Sequence, residues 1–115
     1  MKEYLLLFWN ESGEGKYQLD PEKMKTAMAA WQNWIGNIAM QGKLISTKPI
    51  QWEGVTVGNA GVSNEPAIKE KQMVTGYMIC KANDVEEVQA WAKNCPILQS
   101  PAGFTEVREV SPFEM

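Results

Sequence analysis

Glu106 and Arg108 are the residues best placed by type and spacing to do chemistry. They stand two apart within Phe104 to Val110, FTEVREV. That segment reads as a strand, so both side chains leave the same face. An arginine can hold a carboxylate ligand through two parallel hydrogen bonds. A partly desolvated glutamate beside it can serve as a base. The same pair also reads as an ion pair or ladder on a strand or across a dimer. Tyr77 can donate a hydrogen bond into a pocket or pack on a half-buried strand. Lys71 can bring positive charge to a pocket mouth, while KEKQ around it reads equally as a solvated loop. Trp9 and Trp52 can line an apolar cavity. These six residues are the candidate ligand-binding set.

What the chain lacks narrows the chemistry. It has no histidine, which excludes Ser-His-Asp and Cys-His catalysis and histidine metal sites within it. Cys95 falls at the C-terminus of an expected helix, where the dipole disfavours a thiolate, and Cys80 reads as a small core residue. With no glycine-rich phosphate loop and no metal-ligand cluster, no cofactor and no metal are expected. A net charge of −3 without a basic cluster argues against nucleic acid. No apolar run approaches a membrane span, and the N-terminal run is too short for a signal peptide. An apolar fraction of 44% and a charged fraction of 22% fit a globular protein, expected to form one domain over residues 1–115 and to sit in the cytoplasm with both thiols reduced.

The elements that must position these residues are legible. Asp20 to Gly42 reads as one long amphipathic helix. Asp20 is its N-cap, Pro21 opens it, Leu19 and Met24 staple the cap, and Gly42 ends it. Met24, Met28, Trp31, Ile35 and Ile38 form its stripe, widened by Ala27 and Trp34. Glu3 to Asn10 and Met73 to Lys81 read as strands apolar on both faces, hence covered on both. Lys43 to Lys48 is another strand, stopped by Pro49. Gln51 to Val62 is a hairpin region with a turn at Gly58-Asn59. Glu11 to Gln18 and Ser63 to Gln72 are polar loops. A second helix runs from Asp84 to Asn94, capped by Asn83 or Asp84 and carrying Val85, Val88, Trp91, Ala92 and Cys95 on its stripe. Ile97 to Gly103 connects it to the last strand. The order is the ferredoxin-like βαββαβ plan with a hairpin insertion, an α+β fold. Two helices cover one sheet face. The other needs a cover, most economically a second copy, so a homodimer is expected.

The chain resembles the YCII-related family in its DGPF-domain branch, from Tyr4 nearly to Val110. The opening YLLLFW resembles that branch's first strand. LDPEKMKTAMAAWQNWIGNIAMQGKL resembles its first helix, including the entry and the pair Trp31 and Trp34. GYMICKANDVEEVQAWAKNCP and TEVREV resemble the later elements. Where the branch has DGPFAETKE, this chain has Asn64 to Gln72, NEPAIKEKQ, matching at Pro66 and Lys71; Gly76 matches the second glycine of the pair that follows. The resemblance implies a dimeric α+β barrel. In that family some members are associated with sigma-factor regulation, one relative is a dehydrochlorinase, and a His-Asp pair is proposed as an active site. Without a histidine, this chain has no residue to carry that chemistry.

Three functions follow. The first is a small dimeric module binding a small, partly apolar molecule in the barrel. The second is an enzyme acting on a small ring or acid by proton transfer through Glu106 with Arg108 or Tyr77. The third is a protein-interaction module linked to regulation of transcription.

Overall fold

The computed structural model describes residues 1–12 and 21–113. The main sheet has the order β2-β5-β1-β6, all antiparallel, from β1 (Lys2–Glu11), β2 (Leu44–Pro49), β5 (Gln72–Ala82) and β6 (Phe104–Glu109). A separate two-stranded hairpin, β3 (Thr56–Gly58) and β4 (Gly61–Ser63), is inserted between β2 and β5. Helices α1 (Pro21–Met40) and α2 (Val85–Ala92) complete the plan, with a short 3-10 helix at Pro96–Gln99. This is the ferredoxin-like βαββαβ order with a hairpin insertion.

The alternation of strand side chains sorts β1 and β5 into two faces. Tyr4, Leu6, Phe8, Met78, Cys80 and Ala82 are buried beneath the helices, where they meet Trp34 and Ile38 of α1 and Val88 of α2. Trp34 anchors α1 twice. Its ring packs edge-on to Phe8 and Trp31 at centroid distances of 5.9 and 5.8 Å, and its indole N–H donates to the Trp91 carbonyl at 2.9 Å. On the opposite face Leu5, Leu7, Trp9, Tyr77 and Ile79 are only half-buried.

α1 departs from its expected stripe. Met24 and Met28 are 44% and 57% exposed, not seated on the sheet. A 20-residue helix is about 30 Å long, and α1 meets the core only from Trp31 onward. Its end is as expected: Gly42 holds a φ of 72°, left-handed backbone that glycine adopts without steric cost. The expected cap at Asp20, the staple at Leu19 and most of the Glu11 to Gln18 loop lie outside the described residues.

Three boundaries shift for local reasons. β2 runs through Pro49 instead of stopping before it, because β2 is an edge strand. Ile50 N–H donates to the Thr75 carbonyl at 3.0 Å, which leaves the Pro49 nitrogen at a position that faces away from β5. The hairpin turn sits at Asn59-Ala60, one residue later than expected, since Gly58 pairs with Gly61. Pro96–Gln99, mostly in the expected connector, forms a 3-10 turn too short to show a period. α2 has its expected cap: the Asp84 carboxylate accepts the Glu87 N–H at 3.0 Å, and Glu87 reaches back to the Asn83 N–H at 2.9 Å.

Candidate functional site

A cavity of about 410 Å³ opens between α1 and the sheet, at the β2 side of the core. Trp31 and Ile35, four apart and so on one helix face, form its roof. Phe8 forms part of the floor and meets the Trp31 ring edge-on at 5.0 Å. Ile97, brought in by the 3-10 turn, contributes to the wall, and Met28 lies at the rim. Exposed Met28 thus serves the cavity and not the core.

The cavity exists partly because the β1–β5 ladder breaks beside it. Phe8 pairs with Gly76 and Trp9 with Val74, leaving Thr75 as an extra residue on β5. Such a bulge bends its strand and is common next to binding sites. Gly76 keeps the floor open. A Cβ there would lie 3.3 Å from the Lys48 carbonyl and 3.4 Å from the Phe8 ring. Thr75 donates its hydroxyl proton to the Phe8 carbonyl at 3.2 Å, and Thr47 donates to the Tyr77 carbonyl at 2.8 Å. Thr75 also borders a second cavity of about 240 Å³, lined in part by Trp52, Ile50 and Met73.

None of the six sequence candidates lines the larger cavity. Three of them lie together on the opposite sheet face. The Trp9 indole N–H donates to one Glu106 carboxylate oxygen at 3.1 Å, and Arg108 approaches the other at 3.9 Å. Trp9 also stacks on Phe104 at 5.7 Å. Tyr77 lies across Leu7 from Glu106, since Leu7 pairs with both. Its hydroxyl hydrogen-bonds Ser46 at 3.2 Å. Trp52 lines the smaller cavity and donates its indole N–H to the Ser12 carbonyl. Lys71 is exposed in a tight turn where it and Glu70 hold φ values of 66° and 53°. That turn closes the paired Lys69 and Gln72.

Electrostatics elsewhere bear on stability. Lys43 reaches Glu87 and lies 5.8 Å from the Trp91 ring centroid. The hydrogen bond from Lys43, with that from the Asn83 backbone, holds the Glu87 carboxyl below its usual range. Cys80 and Cys95 are free and buried. Burial raises both thiols, Cys80 to about 11, so neither is poised as a nucleophile. Among the described residues no group of three or more potential ligands is gathered for a metal.

Sequence reasoning missed Thr47, Thr75, Gly76 and Ile97 as neighbours of one cavity. A glycine inside a strand pattern is a recognised mark of a bulge or a close approach, and Gly76 carried that mark. The bulge residue itself has no such mark, because Val-Thr-Gly-Tyr continues an ordinary strand composition.

An antiparallel four-stranded sheet with two helices on one face is the architecture of a ferredoxin-like α+β protein. Residues 5–114 match the model of the YCII-related domain, and the chain belongs to that family. Among solved structures it is similar to 5-chloro-2-hydroxyhydroquinone dehydrochlorinase (TftG) from Burkholderia phenoliruptrix AC1100, in a complex with 2,5-dihydroxybenzoquinone. The identity is 16%, the alignment covers 93% of each chain, and the TM-score is 0.47. No curated protein matches the sequence.

Proposed function

We propose that this YCII-related chain is a homodimeric module, one domain per subunit, that binds a small and mostly apolar molecule. The observation that carries the binding is the cavity beneath α1. Its volume, about 410 Å³, falls within the range of small-molecule sites. Its walls are built from aromatic and aliphatic side chains with a few hydroxyls, as such sites are.

The open sheet face supports the dimer. The molecule measures 42 × 39 × 19 Å with a radius of gyration of 15.4 Å. A compact chain of this length has about 13 Å. A second copy laid on Leu5, Leu7, Trp9, Tyr77 and Ile79 would bury that face and close a barrel. In this arrangement Glu106 and Arg108 belong to the subunit contact, with Trp9 holding the carboxylate in place. Two free buried thiols fit a cytoplasmic location.

The binding is tested by titrating naphthalene, a rigid apolar probe, into the protein by calorimetry. Ile35→Trp fills the cavity from its roof and should abolish the heat while leaving the circular dichroism unchanged. Equal binding by wild type and the filled variant, or no binding by wild type, would refute the proposal. Sedimentation tests the dimer. The wild type should run at twice the chain mass of 12.9 kDa, and Leu7→Lys should run as a monomer. A wild-type monomer at micromolar concentration would remove the barrel.

A further inference from the structure

We infer that the cavity takes a neutral, flat molecule whose polar edge donates a hydrogen bond through O–H or N–H, and that it discriminates against carboxylates. This rests on the proposed binding beneath α1 and adds the chemistry of the ligand.

The hydroxyls on the wall decide the polarity. A hydroxyl has one proton to give and two lone pairs to accept with. Thr47 gives its proton to the Tyr77 carbonyl and Thr75 gives its proton to the Phe8 carbonyl. Among the described residues neither oxygen accepts a hydrogen bond. Both residues border the cavity, and Thr47, paired with the core residue Met78, has its side chain on the cavity face. The floor therefore presents the Thr47 oxygen as an acceptor, and a ligand satisfies it only by donating.

Charge points the same way. Among the described residues that border the cavity, Lys48 is the only ionisable one. Its register partner is Tyr77, and the Tyr77 hydroxyl meets Ser46 on the open face. Alternation along β2 therefore sends the Lys48 side chain to that face, and its backbone is what borders the cavity beside Gly76. Gln32 sits exposed at the mouth, in water. A carboxylate entering the cavity would lose its hydration, face the Thr47 acceptor and, among the described residues, meet no cation. A flat shape suits the walls, where the Phe8 and Trp31 rings meet edge-on at 5.0 Å and Gly76 offers no side chain.

The test compares three ligands of one shape: 2-naphthol, 2-methoxynaphthalene and 2-naphthoate. Calorimetry at pH 7 is run on wild type, Thr47→Val and Thr75→Val. Wild type should bind 2-naphthol about tenfold tighter than 2-methoxynaphthalene, the upper end for one neutral hydrogen bond, and 2-naphthoate weakest of the three. At least one valine variant should bring 2-naphthol to the level of 2-methoxynaphthalene, whose own affinity stays unchanged. Equal affinity for the naphthol and its methyl ether in wild type overturns the inference, as does tightest binding of the naphthoate. In either case, loss of 2-methoxynaphthalene binding in Ile35→Trp would show that the cavity reading still stands. No binding of any of the three overturns both.

Discussion

Replacing Trp34 tests how α1 is fixed to the rest of the fold. The side chain is 8% exposed, packs on two aromatic rings and donates to the Trp91 carbonyl. Truncating a buried tryptophan to alanine costs about 3–5 kcal/mol. The hydrogen bond adds less than a first look suggests. The Trp91 carbonyl also accepts the Asn94 N–H at 3.0 Å, so losing Trp34 does not leave it bare. The loss is then the net value of one bond, about 1 kcal/mol, and not the larger penalty of a buried unsatisfied group. Trp34→Phe keeps most of the ring contact, loses that bond and leaves a small void, so about 2 kcal/mol is expected. The whole chain should have a stability of roughly 6–17 kcal/mol, from about 0.05–0.15 per residue. The phenylalanine variant should therefore fold, and the alanine variant should fold with its reserve reduced. Urea titrations followed by circular dichroism, at one protein concentration for all variants, give the differences. An alanine cost below about 1 kcal/mol would mean that α1 does not pack here. A phenylalanine cost as large as the alanine cost would mean that the hydrogen bond, and not the packing, holds the helix.

Three further outcomes are expected. Gly103→Ala would place a Cβ 1.9 Å from the Ile97 carbonyl oxygen, so the 3-10 turn must move; a loss of about 1–3 kcal/mol in urea is expected, with weaker naphthalene binding because Ile97 walls the cavity. Lys71→Gly relieves a left-handed residue and should raise stability by about 1 kcal/mol with ligand binding unchanged; a loss of binding would return Lys71 to the site. The Glu87 carboxyl is held below its usual value of 4.5, so its contribution is present above that pH and is lost as the pH falls through the folded value. Glu87→Gln should flatten that acid-side decline in thermal melts, and an unchanged acid limb would show that the Lys43 contact contributes nothing.

The fold was legible because its signals are local and repeated. The Trp31, Trp34, Ile35 and Ile38 spacing, the Gly42 stop and the Asp84 cap each act within a turn or two of helix, and the two-faced strands β1 and β5 declare that both sides need cover. Met24 and Met28 share the helical period with Trp31, but whether a sheet lies beneath them is a tertiary fact that periodicity does not carry. The Glu106 and Arg108 proximity was readable from strand alternation, and the structure keeps them on one face with Trp9. The cavity was not readable, because it is assembled from α1, three strands and the 3-10 turn. Its acceptor character depends on which carbonyls Thr47 and Thr75 reach, and that depends on register.

The bulge at Thr75 has a meaning for insertions and deletions. Phe8 and Gly76 share the helix-covered face, and beyond the bulge Asn10 and Met73 share it again, so the extra residue leaves the in-out order of β5 as a regular ladder would have it. Excising Thr75 should therefore keep Met73 in the core and Val74 on the open face. What would go is the kink, one hydroxyl and the carbonyl that receives the Ile50 N–H from the edge strand. β5 is one residue longer here than pairing requires. Loss of that one codon would straighten the strand beside the cavity and keep the sheet, so a single-residue deletion at this place is one the fold can absorb.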